Sequence, residues 1–321
     1  MFIKEVSPPK IIYLLEILLR RLPKSHPKRQ IVEDNLSRRR AGYKGEQNLV
    51  FYLEQSPINQ FLIFHNLVLT VENQSFQIDF LLLSNNYAII MEVKNLAGEL
   101  YFDKDFRQLI RNLNGKTECF PDPLAQVDRQ RELLIKWLAN YKLQPIPLEK
   151  LVVISNLPTI IRASPGYKEV YETVSKADQI LHKVKSLEQK QTQSGIDQKG
   201  LEKIKRFLLS KQISDVKFIT NQFDIDESDL ISGVLCPNCE FQVMQYKSKS
   251  WQCNMCGYKD KKAYIEAIKE YFLLFQQQIN NKELREFLGV PSSRTATYIL
   301  SKMNLPHSGN NIGRTYFPPP L

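Results

Sequence analysis

Two neighbouring segments, 76–83 and 87–93, are apolar at nearly every position, so neither shows the one-sided alternation of a half-exposed strand. Ser84-Asn85-Asn86 separates them, and together they read as a hairpin with both faces buried. Residues 61–71 and 98–102 read as further strands, and 151–155 as a short apolar one. Helical spacing marks 8–22, opened by Pro8-Pro9, and 42–55, with Leu49, Val50 and Leu53 on one face. It also marks 124–141 and 201–213, while a polar, basic stretch fills the chain up to Arg40. Strands mixed with helices in this order predict an α/β domain over roughly 40–185. Residues 186–200, rich in Gln, Ser and Lys, read as a linker.

The hairpin carries a chemical consequence. If Asn85-Asn86 is its two-residue turn, paired positions bring Ser84 opposite Tyr87, Asp79 opposite Glu92, and Gln77 opposite Lys94. Phe76, Ile78, Phe80 and Leu82 then share one side, and Leu81, Leu83, Ala88 and Ile90 the other. Two carboxylates side by side in an apolar sheet repel, and burial raises the cost. Lys94 supplies one compensating charge, and a divalent ion shared by Asp79 and Glu92 would supply the rest. Oxygen-only ligands favour Mg²⁺ or Mn²⁺, whose chemistry suits phosphodiester hydrolysis. An exposed Glu-Lys ion pair is the plainer alternative, but Ile89-Ile90-Met91 leads into Glu92 with no polar face. Glu46 falls on the apolar face of the 42–55 helix, or is simply an acid favoured near a helix start. Gln126 and Gln130 align with Leu133 and Trp137, so both amides face inward and need partners.

Charge adds a partner class. The 321-residue chain has a net charge of +10, and residues 1–45 hold 11 Lys/Arg against 4 Asp/Glu. That surplus favours nucleic acid or acidic lipid, and the basic arm reads equally as solvated or phosphate-contacting. The apolar run 11–19 contains Glu16 and is too short to span a bilayer. It predicts a helix docked on the main domain, with no secretory signal and no membrane span. Four of the five cysteines fall in two Cys-x-x-Cys pairs and Cys119 stands alone, which reads as metal ligation in a reducing cytoplasm.

The run Gly42-Tyr43-Lys44-Gly45-Glu46, then Gln77-Ile78-Asp79, Met91-Glu92-Val93-Lys94-Asn95 with Gly98, and Gln126 with Gln130 resembles the nuclease-related domain (NERD) family. That family is grouped with the PD-(D/E)XK nucleases, and the resemblance covers about residues 38–160. It implies a restriction-endonuclease-like core, a mixed central sheet flanked by helices. It also implies Glu46, Asp79, Glu92 and Lys94 as the catalytic set, with Gln126 and Gln130 in support. Ile78 stands where the superfamily's proline would be.

Cys236-Pro237-Asn238-Cys239 and Cys253-Asn254-Met255-Cys256, thirteen residues apart, set four thiolates for a structural zinc. The segment between them, with Trp251, suits the hairpin of a zinc ribbon, whose partner is either nucleic acid or another protein. A long helix at 261–279, helices at 282–288 and 292–303 joined by Gly289-Val290-Pro291, and a loop containing Arg314 then follow. This has the cadence of a helix-turn-helix presenting Arg294, Thr295 and Tyr298, or of an ordinary helical hairpin. The expected organisation is a basic helical arm (1–37), a nuclease-like domain (38–185), a linker and helix (186–233), a zinc ribbon (234–258) and a helical end (259–321). The leading expectation is metal-dependent cleavage of DNA. The alternatives are a DNA-binding protein that no longer cuts and a zinc-ribbon adaptor.

Overall fold

A computed structural model describes residues 1–3, 6–55, 58, 60–190, 195–213, 219–310 and 313–319. Residues 191–194 of the expected linker, and 311–312 of the expected C-terminal loop, lie outside the described residues. The chain forms two compact units, Met1–Pro9 with Arg39–Asp215, and Lys10–Arg38 with Val216–Leu321.

Two helices, α1 (Lys10–Arg21) and α2 (Arg29–Glu54), open the chain. The polar stretch before Gly42 is helical rather than irregular. No proline interrupts it after Pro27, its Arg, Gln and Glu residues favour helix, and Val32 and Leu36 are buried four residues apart.

The first unit is built on a five-stranded mixed sheet of order β1-β2-β3-β7-β9. Its first three strands, β1 (Leu62–Val71), β2 (Gln74–Leu83) and β3 (Ala88–Lys94), are antiparallel. The chain then builds a second sheet from β4 (Glu99–Asp103), β5 (Gln108–Leu113) and β6 (Lys116–Pro121) before α3 (Pro123–Asn140). It returns through β7 (Leu148–Ile154), parallel to β3. Strand β8 (Ile160–Ala163) joins the second sheet beside β4, and β9 (Val174–Lys176) closes the first. Helices α4 (Lys168–Thr173), α5 (Ile180–Lys190) and α6 (Gln198–Lys211) complete the unit. Helix α5 thus occupies the start of the segment expected as a linker.

Both faces of the central sheet are covered, as the sequence implies. One core joins Ile90, Val152 and Ile154 to Val127, Leu134 and Trp137 of α3. The other joins Ile89, Met91 and Val153 to Leu49 and Leu53 of α2 and Ile180 and Val184 of α5. The side assignment along β2 needs correcting. Phe76 and Ile78 share the first core with Leu81 and Leu83, whereas Phe80 and Leu82 belong to the second. The strand changes phase at Asp79. Opposite it, β1 does the same at Asn66, whose backbone is left-handed (φ 52°), so the register of Leu67↔Ile78 and His65↔Phe80 is preserved.

Helix α2 lies close against the end of β3. Asn95 Nδ2 donates to Ala41 O at 2.7 Å. A Cβ at Gly45 would stand 2.5 Å from Asn95 Cβ and 2.6 Å from Ser155 Oγ, so only glycine fits.

In the second unit α1 buries Leu14, Leu15 and Leu18 together with Arg21. The Arg21 guanidinium donates to Glu270 (2.7 Å), Ile231 O (2.7 Å) and Gly233 O (3.1 Å). Helix α1, expected to dock on the main domain, is therefore part of the second unit instead, because a buried arginine goes where its acceptors are. Strands β10 (Gln245–Lys247), β11 (Ser250–Gln252) and β12 (Lys259–Asp260) form the cysteine module's small sheet. Helix α7 (Tyr264–Leu274) is shorter than expected, and Gln277 Nε2 donates to Phe272 O beyond its end. Then come β13 (Ile279–Asn280), α8 (Asn281–Leu288), α9 (Ser293–Lys302), β14 (His307–Ser308) and β15 (Thr315–Tyr316).

The close approach at Gly45 yields a contrast between two helical glycines. Gly45→Ala should lose about 1–3 kcal/mol of stability through overpacking. Gly42→Ala, with nothing within 4 Å of its added Cβ, should be neutral or gain up to about 1 kcal/mol. Chemical denaturation of the two variants measures this, and equal effects would contradict the packing described.

Candidate active site and cysteine centre

The chemistry of the first unit gathers where β3 leaves β2. Pairing between them stops at Phe80↔Met91, while pairing of β3 with β7 continues to Lys94↔Ile154. Glu92, Val93 and Lys94 therefore have one strand edge without a ladder partner on β2. The Asp79 side chain takes part of that edge, with Oδ2 accepting from Val93 N–H at 2.9 Å. The hairpin register is the one expected from the Asn85-Asn86 turn, which Ser84 Oγ closes by donating to Tyr87 O at 2.8 Å.

Glu92 is buried, with 4% of its surface exposed, and both carboxylate oxygens are engaged. Oε1 accepts from Lys94 Nζ at 2.7 Å and Oε2 from Gln130 Nε2 at 2.7 Å. Lys94 Nζ also donates to Gln126 Oε1 at 2.9 Å. Helix α3 places both glutamines. Pro123 opens it, the Asp122 carboxylate caps it by accepting from Leu124 N–H at 2.9 Å, and one turn then separates Gln126 from Gln130. Gln130 is buried as expected, but Gln126 lies exposed at the rim, reaching the site through Lys94. Gln77 does not join them. It pairs with Val68 of β1, and its Nε2 donates to Asn66 Oδ1 at 3.0 Å, because the β2–β3 ladder has already ended.

On the α2 side, Glu46 Oε2 lies 2.6 Å from Nε2 of His65, whose buried ring packs against Phe80. His65 is a site neighbour that the sequence reading passed over. A two-residue turn at Glu72-Asn73 would have put it opposite Phe80, one position from Asp79. The group has a surplus of negative charge. Burial holds the Asp79 carboxyl well above the usual carboxylate range, with the charges of Glu92 and then Glu46 adding to the effect. The Val93 N–H and the Lys94 ammonium oppose it incompletely.

This donor set fits a hard divalent cation in kind. Its atoms are carboxylate oxygens with excess negative charge, and Gln130 Oε1 beside Glu92 is buried with no hydrogen-bond partner among the described residues. Among the described residues, however, the one group of three or more metal-binding side chains with all ligand atoms within 4.8 Å of one another is Cys236, Cys239, Cys253 and Cys256. Their sulfurs stand 3.6 Å (Cys236 to Cys256) and 3.9 Å (Cys253 to Cys239) apart. Tetrahedral zinc with Zn–S of about 2.3 Å requires about 3.8 Å, so the cluster is compatible with zinc. The two knuckles share one backbone design. Glu240 (φ 56°) and Gly257 (φ 72°) are left-handed, and their N–H groups donate to the carbonyls of Cys236 and Cys253. Backbone N–H groups of Cys256 and Met255 pull the Cys253 thiol down to about 7, while hydrogen bonding to Cys256, then burial, push Cys239 up to about 12.

Residues 41–155 match the family model of the nuclease-related domain, NERD. The NERD span is about a third of the chain and contains Glu46, Asp79, Glu92, Lys94, Gln126 and Gln130. It connects this part of the protein with nuclease-related function, in agreement with the mixed sheet flanked by helices. No curated protein and no solved structure matches the chain. Among the described residues, no helix is long and apolar enough to cross a membrane.

The remaining expected contacts lie in the second unit. Arg294 and Tyr298 are exposed on α9, Thr295 is half-buried with its hydroxyl 2.9 Å from Ser292 Oγ, and Arg314 is half-buried before β15.

Two outcomes follow from this electrostatics. Asp79→Asn can keep the bond from Val93 while removing the charge. In buffer free of Mg²⁺ and Mn²⁺ it should raise the melting temperature by several degrees at neutral pH. The gain should vanish below about pH 4, because a raised folded-state pKa costs stability only once the unfolded carboxyl would ionise. A variant less stable than the parent at neutral pH would contradict this. Chelation of zinc should expose Trp251, buried beside Tyr246 in the ribbon, and red-shift tryptophan emission. Cys253→Ser should show the shifted spectrum without chelator, and an unchanged spectrum in both cases would remove zinc from the ribbon's stability.

Proposed function

We propose that the NERD domain is a Mg²⁺- or Mn²⁺-dependent nuclease that hydrolyses phosphodiester bonds of DNA. The observation that carries the reading is the buried Asp79 carboxyl, which feels the charges of Glu92 and Glu46 at the open edge of β3, where Lys94 is bonded to Glu92. In this reading Asp79 and Glu92 hold the metal. When bound, the ion would polarise the scissile phosphate and lower the pKa of a water.

The chain's own groups have separable roles. Lys94 is held by Glu92 Oε1 and Gln126 Oε1, so its ammonium is positioned without being buried, and it can orient the attacking water or stabilise charge developing on phosphate. Gln130 fixes Glu92 from the other side and keeps one carbonyl acceptor unspent. Glu46, tethered to His65, completes the acidic set from the helix side. The zinc in the ribbon is structural, since four thiolates leave no open coordination position. The ribbon and the C-terminal helices aid substrate binding, in keeping with the chain's net charge of +10.

Purified protein incubated with labelled DNA in Mg²⁺ or Mn²⁺ should cut it. Asp79→Ala, Glu92→Ala and Lys94→Ala should each lower the rate by about 100-fold or more, as expected for groups acting on transition-state charge. Cleavage that persists in all three variants would overturn the assignment. Tight, salt-sensitive binding without cleavage would identify a DNA-binding protein that no longer cuts.

A further inference from the structure

The C-terminal part of the second unit carries a surface that the nuclease reading leaves unspecified. Its element order is α7, β13, α8, α9, β14, β15, and its sheet order is β13-β15-β14, all antiparallel. A helix-turn-helix is therefore braced by a small sheet whose β14–β15 hairpin follows α9, rather than standing as a simple helical pair.

The turn between the helices is fully specified. Asn280 caps α8 in a reciprocal capping box with Glu283, and Gly289 ends the helix in the left-handed conformation (φ 68°). Ser292 caps α9, its hydroxyl accepting from Thr295 N–H at 3.2 Å. Asn281 ties the two helices by donating to Ser293 O and Thr297 Oγ1, each at 3.0 Å. Ala296, Ile299 and Leu300 of α9 turn inward with Leu284, Phe287 and Leu288 of α8.

Beyond Ser293 at its start, the exposed residues of α9 form a single stripe, Arg294, Thr297, Tyr298, Ser301 and Lys302, the last four lying three, four, seven and eight residues after the first. The helix contains no acidic residue. Tyr298 is 57% exposed, and Lys302 Nζ lies 5.7 Å from the centre of its ring. The Thr295 hydroxyl is spent on Ser292, and Thr297 on Ser293 O and Asn281, so neither leads recognition. Arg294, by contrast, has no hydrogen bond or ion pair among the described residues. Arg314, just before β15, has a buried Nε with no hydrogen-bond partner among the described residues.

We propose that α9 is a recognition helix for double-stranded DNA, entering the major groove with Arg294 and Tyr298 toward the bases and Lys302 toward phosphate. An α-helix is about 10–12 Å across with its side chains and fits a B-form major groove about 12 Å wide, and the ten residues of α9 would run about 15 Å along it. The groove of A-form RNA is too deep and narrow to admit it. The centre of a protein interface is depleted of charged residues and of Lys and Ser in particular, whereas the exposed positions of α9 are basic and hydroxyl groups with one aromatic ring and no acid. The inference deepens the nuclease reading by naming duplex DNA as what the chain engages, and it rests on that reading for its biological meaning alone.

The test uses the full chain with its zinc and the Asp79→Asn substitution, so that binding is read without cutting. Fluorescence anisotropy would compare a duplex DNA of about 20 base pairs, its single strand, and an RNA duplex of the same sequence. Duplex DNA should bind at least about tenfold more tightly than either. Arg294→Ala should weaken duplex binding by about tenfold, and Lys302→Ala should lower the salt slope by about one. Circular dichroism and zinc content check that these exposed substitutions leave the fold intact. Equal affinity for all three nucleic acids, or duplex affinity unmoved by both substitutions, would overturn the proposal. Cleavage by the unsubstituted chain is scored separately, so loss of the nuclease reading and loss of this one are distinguishable.

Discussion

Uncompensated negative charge at the end of β3 is the constraint around which the first unit is organised. Glu92 sits among side chains that are almost wholly buried, and Asp79 meets it across a broken ladder. Placing a carboxylate there costs several kcal/mol even after the protein relaxes around it. Each fully buried Leu, Ile or Met nearby returns about 1.5–3 kcal/mol, so the two cores on either side of the sheet can sustain the site. The polar groups that reach it are correspondingly few and specific. Lys94 and Gln130 each satisfy one oxygen of Glu92, and Val93 N–H satisfies one of Asp79.

The phase change at Asn66 and Asp79 makes the arrangement geometrically possible. In a regular strand Asp79 would share a side with its neighbours two positions away, but Ile78 and Phe80 belong to different cores in a way simple alternation does not allow. The left-handed Asn66 lets β1 follow, so neither strand loses register. Helix α2 approaches the same end of the sheet through Gly45, and that approach carries Glu46 and its partner His65 to the site.

Much of this was legible in residue order, and the gaps have physical causes. The turn at Asn85-Asn86 is enough to register β2 with β3, so counting brings Asp79 beside Glu92, although the ladder ends one pair before them, at Phe80↔Met91. The phase change was hidden, since it depends on one backbone conformation at Asn66 and not on the apolar pattern. His65 looked like one polar residue in an apolar strand, and its role depends on a second register, set at Glu72-Asn73. Strands β5 and β6 went unread although Asn114-Gly115, both left-handed, marks their turn. Helix α1 was assigned to the wrong neighbour because its decisive contact, Arg21 with Glu270, spans 249 residues. The cysteine module and the C-terminal helix pair are local in sequence, and their elements lie close to where spacing and capping residues put them.

The proposed chemistry requires Asp79 and Glu92 to share a divalent ion beside Lys94. A crystal of the zinc-bearing protein soaked in Mn²⁺ and measured at the manganese absorption edge tests it most directly. An anomalous peak bound by oxygens of both carboxylates, lost in Glu92→Ala, is the expected result. Manganese absent from this place, with the two carboxyl groups turned away from one another, would contradict it.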